Sequence, residues 1–167
     1  MDRIKSIISR YLIILILSIF SPLLYLILSP VTIYSSYALI SIFYHASLSN
    51  TVISFSGKEI ELIEACISGL SYLLLLALNL SLEMPLRKRL NSLAFTLLSF
   101  FAFNVLRILL LSAVFASGAS FFNTLHAFFW YFGSILAVVV IWIINVRIFK
   151  IKEVPFIADI RYLTKQF

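Results

Sequence analysis

The chain has 167 residues, 62% of them hydrophobic and 12% charged, with a mean hydropathy of +1.09. That profile excludes an ordinary soluble domain, and a bundle of about four spans of about 20 residues each leaves no room for a separate soluble catalytic unit. The formal charge of +6 is spread along the flanks of apolar runs rather than gathered in one patch with interleaved aromatics, so it points to membrane topology and away from nucleic acid.

The N-terminal stretch MDRIKSIISRYLIILILSIF has the basic start of a secretory signal but no small-residue cleavage site, and its apolar run continues to Leu28. It reads as a retained anchor, with Arg3, Lys5 and Arg10 holding its start inside and a first span over 11–29 kinked at Pro22. Residues 31–48, bounded by Pro30 and Asn50, are richer in Ser and Tyr and suit an amphipathic helix on the outer leaflet. In NTVISFSGKEIELI, apolar and polar residues alternate on either side of Gly57, the pattern of a short β-hairpin.

A second span is expected over 64–82, followed by the basic turn EMPLRKRLN, which belongs in the cytoplasm. A third covers 92–115, a small-residue corner ASGAS follows, and a fourth covers 124–146. The chain then ends in a basic cytoplasmic tail over 150–167. The fold class expected is an all-α membrane protein: about four transmembrane helices, an outer interfacial helix and a short hairpin. Residues 1–63 form the anchor, surface helix and hairpin, and residues 64–149 the helical core. With the basic turn and both termini inside, the hairpin and the ASGAS corner lie outside, where Lys58 is the one Lys or Arg.

Helical rise converts this topology into depth. At 1.5 Å per residue, Arg107 lies roughly 22 Å above Ser92, Cys66 roughly 25 Å above Glu83, and His126 roughly 28 Å above Asn145. Three polar residues from three helices thus share the outer level. Arg107, in FFAFNVLRILLLSAV, is the costliest of them, at about 2.5 to 3.5 kcal/mol on insertion scales, with no acid on its own helix. It either snorkels and fixes helix depth or faces the bundle, with Asn104 on the same face.

Cys66 is the chain's only cysteine, which rules out an internal disulfide and a multi-cysteine metal frame. A buried free cysteine often serves as a small hydrophobe, whereas a thiol at a helix N-terminus near a guanidinium is biased toward the nucleophilic thiolate. Apolar burial acts in the opposite direction, as does Glu64 unless it pairs with Arg107 or His126. His126, in SFFNTLHAFFWYFG, suits an aromatic belt or a proton shuttle. His45, near Tyr37 and Tyr44, reads as interfacial. A metal held by Cys66, His126 and Glu64 lacks close ligand spacing. Taken together, thiol, imidazole and guanidinium are the nucleophile, proton carrier and oxyanion stabiliser that acyl transfer needs.

EAC, a following Ser-Gly, NVLRI on the next span and a His opening the last one resemble the exosortase and archaeosortase family of membrane-embedded cysteine transpeptidases, over roughly 57–149. HAFFWYFGS and the basic tail look like its small archaeal branch. The departure is Ile67, which separates Cys66 from Ser68 and turns Ser68 and Gly69 by about 100° relative to the thiol.

The resemblance implies Cys66 as nucleophile, Arg107 as stabiliser of developing negative charge, His126 as general acid and base, and Glu64 and Asn104 as supporting residues. It implies no cofactor, and it implies secreted protein substrates carrying a C-terminal membrane-anchored sorting tail. A lipid amine, another amine or water would be the acceptor. The rival readings are a noncatalytic membrane subunit and a small transporter, the latter hinted at only by Ser99 and Ser112.

Overall fold

The computed structural model describes residues 2–151, so most of the 150–167 tail lies outside the described residues. Seven α-helices run through them: α1 (Asp2–Ile19), α2 (Ser21–Phe43), α3 (Glu64–Ile67), α4 (Gly69–Leu80), α5 (Leu86–Ser117), α6 (Phe122–Phe128) and α7 (Ser134–Ile148). A π-helical turn, Phe129–Gly133, joins α6 to α7 without a loop. Between α2 and α3 lies a three-stranded antiparallel sheet, β1 (Ala46–Ser49), β2 (Val52–Phe55) and β3 (Lys58–Glu61), in the order β1-β2-β3.

Three helical stretches are long and apolar enough to cross a membrane: Ser21–Phe43, Leu86–Ser117 and Phe122–Ile148. Their outer faces carry exposed side chains such as Leu26, Leu98 and Phe132, an apolar surface that hydrocarbon would cover. The four expected spans are therefore redistributed. Ile7–Ile19 and Glu64–Leu80 are apolar but short, and the second of these is broken at Ser68.

The first expected span does not kink at Pro22 but ends before it. The break falls at Phe20, and Pro22 sits in the first turn of α2, where a missing N–H removes no intrahelical bond. The helix then continues through Pro30, so no separate surface helix exists over 31–48. Its second half buries Thr32, Ile33, Ser36 and Ile40, and residues 46–49 are a strand. The small Ser and Thr side chains on this half of α2 allow close packing: neither the Thr32 nor the Ser36 hydroxyl has a hydrogen-bond partner among the described residues.

The hairpin is present. Ser56 and Gly57, both with positive φ, form the two-residue turn that joins β2 to β3, a conformation glycine adopts without strain. The added strand β1 continues the alternation in ASLS and turns at Asn50, also left-handed. The sheet lays Ile53 and Phe55 onto Ile33 and Ile40 of α2, Ile67 of α3 and Ile108 of α5, and Leu62 joins the same cluster. The Lys58 ammonium donates to the carbonyls of Phe115 and Ala116 at the C-terminal end of α5, where carbonyls lack helical partners and a cation is favoured.

The core helices are joined twice more. Tyr72 and Leu75 of α4, Phe100 of α5, and Ala137, Val138 and Ile141 of α7 form a second apolar cluster. At the far end from the sheet, the Asn79 amide donates to Ser92 Oγ (2.6 Å), which donates to Asn145 Oδ1 (3.0 Å), tying α4, α5 and α7 through three fully buried residues. Arg10 of α1 reaches the same end, donating to Ser81 O and pairing with Glu83 at 3.4 Å. Ser92→Ala is expected to leave two buried amides short of a partner and to cost about 1 to 3 kcal/mol. The check is a lower melting temperature of the detergent-solubilised protein.

Candidate active site

The site begins with a helix that fails to continue. α3 ends after four residues because Ser68 adopts a left-handed conformation (φ 58°), uncommon and strained for a residue with a β-carbon. In an unbroken helix the Cys66 carbonyl would accept from the N–H four residues on. Here it accepts from Asn104 Nδ2 (2.9 Å) and from Arg107 Nη2 (3.2 Å), both on α5. The Ser68 hydroxyl closes the loop, 3.4 Å from Asn104 Oδ1. Ile67, inserted between Cys66 and Ser68, is fully buried in the cluster under the sheet.

Cys66, Arg107 and His126 line one cavity of about 440 Å³. Its other walls are Ile60, Glu61 and Leu62 from β3 and the segment after it, Ile108 to Phe115 along α5, and Phe122, Phe129, Trp130 and Ser134. Asn104 is not exposed to the cavity. It is fully buried behind it, and acts on the thiol-bearing residue through the backbone. Glu64 lines a different cavity of about 460 Å³ with Ser21, Pro22, Tyr25, Ser68 and Ser71. Two residues apart on a helical turn, Glu64 and Cys66 point to different faces, and this is why they part company. Cys66 sits third in a helix of four, so the helix-terminus field expected to act on its thiol is that of a single turn.

Arg107 is held from two sides, Nη2 on the Cys66 carbonyl and Nη1 on Ser134 Oγ at 2.9 Å. Its side chain does not reach outward along the helix, and it is 8% exposed. Two of the five guanidinium N–H donors are thereby used, and Nε is buried without a partner among the described residues.

His126 is on the exposed mouth of the cavity, its ring stacked on Phe122 (centroids 5.7 Å, 3° between planes) and edge-on to Trp130 (6.0 Å, 68°). Its orientation is set by these two rings.

Ser134 was not legible as a site residue, and the reason is the π turn. In a regular helix two positions eight apart differ by about 80° around the axis. The wider turn over Phe129–Gly133 absorbs most of that difference, so His126, Trp130 and Ser134 all face the cavity. The one signal in the sequence is Gly133, the residue with which the π turn closes, where a β-carbon would lie 2.6 Å from Phe129 Cδ1.

Among the described residues no group of three or more His, Cys, Asp or Glu side chains is placed to hold a metal ion. Comparisons with known protein families, with curated proteins and with solved structures found no match for this chain.

Asn104→Leu removes the shorter of the two bonds to the Cys66 carbonyl and is expected to cost about 1 to 3 kcal/mol, read as a fall in melting temperature in detergent. Gly133→Ala forces the Phe129 ring aside at a similar cost of about 1 to 3 kcal/mol for an overpacked contact. The double variant Gly133→Ala, Phe129→Leu is expected to regain most of that loss, which separates a steric cause from a backbone one.

Proposed function

We propose that this chain is a membrane-embedded cysteine peptidase or transpeptidase that processes secreted proteins at the outer membrane face, where each substrate is held by a C-terminal membrane tail. The observation carrying this reading is that thiol, guanidinium and imidazole, from three separate helices, line one cavity. The resemblance of EAC, NVLRI and the helix-opening His126 to the exosortase and archaeosortase family supplies the substrate class. The basic turn with Arg87, Lys88 and Arg89 supports the orientation, because Lys and Arg concentrate on the cytoplasmic side and the cavity lies toward the other end of α5.

In this mechanism His126 takes the Cys66 proton and the sulfur attacks the carbonyl carbon of the scissile peptide bond, forming a C–S bond and an oxyanion. The N–H donors of Arg107 left free by Cys66 and Ser134 stabilise that oxyanion. As the intermediate collapses, the C–N bond breaks, His126 returns its proton to the departing amine, and a thioester remains. A lipid amine, another amine or water then attacks the thioester and releases the thiol. The supporting role of Asn104 is to fix the Cys66 backbone. No step requires a cofactor.

One observation favours a second reading, a noncatalytic membrane subunit: Arg107 bridges a backbone carbonyl and a serine on two other elements, as a purely structural clamp would. Because Cys66 is the only cysteine, alkylation reports on it directly. The enzyme reading expects an impermeant maleimide added outside intact cells to label the chain. It also expects Cys66→Ala to fold normally while unprocessed tailed precursors accumulate. Normal processing by that variant would sink it. Arg107→Lys keeps the charge but loses the planar fork and is expected to slow processing by on the order of 10²-fold. If Arg107 only clamps, processing falls no further than the amount of folded protein does.

A further inference from the structure

β3 is an edge strand, and its unpaired edge borders the cavity. The ladder identifies which backbone groups are free. Ile53 pairs with Ile60, and Leu62 N–H donates to Thr51 O at 2.9 Å, so the even positions of β3 bond to β2. The N–H and C=O of Glu59 and Glu61 therefore point the other way, and they have no hydrogen-bond partner among the described residues. Ile60, Glu61 and Leu62 form the wall of the cavity that Cys66, Arg107 and His126 line, with Cys66 five positions after Glu61. The strand is pinned in place, since the Lys58 ammonium holds it to the end of α5.

We infer that the free edge of β3 receives the substrate as a fourth, extended strand, whose backbone pairs with Glu59 and Glu61 and delivers a peptide carbonyl to Cys66. This rests on the peptidase reading above and adds how the peptide is held. Backbone pairing supplies affinity with little demand on sequence, which suits an enzyme acting on one segment type in many proteins. A second copy of this chain is a poorer occupant. Edge-to-edge antiparallel pairing would set Glu59 against Glu61 of the partner, like charges directly opposite, and acidic side chains on an edge discourage such self-pairing. The same two carboxylates favour basic or hydroxyl side chains opposite them in a peptide.

The test uses the full detergent-solubilised chain and acetylated Val/Thr hexapeptides ending in a chloromethyl ketone. Attack by Cys66 Sγ forms an S–C bond, chloride leaves, and the thiol proton passes to His126 or water. Intact-mass spectrometry follows the rate, with iodoacetamide as a probe that needs no strand pairing. Six versions of the peptide each carry one N-methyl group. A docked strand loses rate at every second position, by about three- to tenfold for one or two lost hydrogen bonds, and is insensitive in between. Glu61→Pro removes an edge N–H without touching the ladder to β2 and is expected to slow the unmethylated peptide similarly. Glu61→Ala keeps that N–H and is expected to slow it less, each peptide rate being taken relative to the same protein's iodoacetamide rate, which absorbs any change in the thiol's own reactivity. Loss of rate at no position, or equally at all six, with iodoacetamide still reacting, overturns the strand and leaves the peptidase reading standing. Failure of iodoacetamide to alkylate Cys66 sinks that reading and this inference with it. A dimer that forms as protein concentration rises and is abolished by Glu61→Pro would assign the edge to a second copy instead.

Discussion

The carbonyl oxygen of Cys66, held by Asn104 and Arg107, is the contact from which the rest of the site follows. A backbone acceptor inside an apolar bundle needs a partner in place of a lost helical bond. Breaking the helix at Ser68 frees that acceptor, and α5 supplies two donors to it. The thiol-bearing turn is thereby fastened to the middle helix of the bundle. Arg107 in turn is satisfied by the carbonyl and by Ser134, so an otherwise costly cation becomes the junction of three elements.

The opposite end of the molecule is tied by smaller polar groups. Asn79, Ser92 and Asn145 link α4, α5 and α7 at one level, and Arg10 joins α1 to the segment after α4. Between the two polar layers lies the apolar cluster around Tyr72 and Phe100. Interhelical hydrogen bonds of this kind set register where apolar packing alone leaves helices free to slide. With register set at one end, Cys66, Arg107 and His126 meet at the other. The sheet closes that end, and its attachment through Lys58 brings a free strand edge to the same cavity.

Much of the bundle was visible in the chain because hydropathy reports length and composition directly. The long helices ending near Ser117 and Ile148, the hairpin around Gly57 and the basic turn after α4 all have local signals. The N-terminal third misled for a physical reason. Pro22 and Pro30 look alike in sequence, yet one opens a helix and the other lies inside it, a difference set by what α2 packs against. The Ser and Tyr content over 31–48 likewise read as interfacial, whereas that half of α2 buries Thr32, Ile33, Ser36 and Ile40. Glu64 sits beside Cys66 in the chain and in a different cavity in space.

By itself the sequence determined composition, the order of the apolar stretches, and the chemical inventory of one thiol, one guanidinium inside a long apolar run and one helix-opening imidazole. Rise per residue is a property of the backbone, so their common level could be counted. Rotation about each helix axis is not, because it depends on breaks and bulges that long-range contacts hold in place. Only the tertiary structure decided that Ser68 would stop a helix, that a π turn would bring Ser134 round to Arg107, and that β3 would wall the cavity that holds the thiol. The first two cost the local backbone something, and all three are sustained by partners distant in the chain.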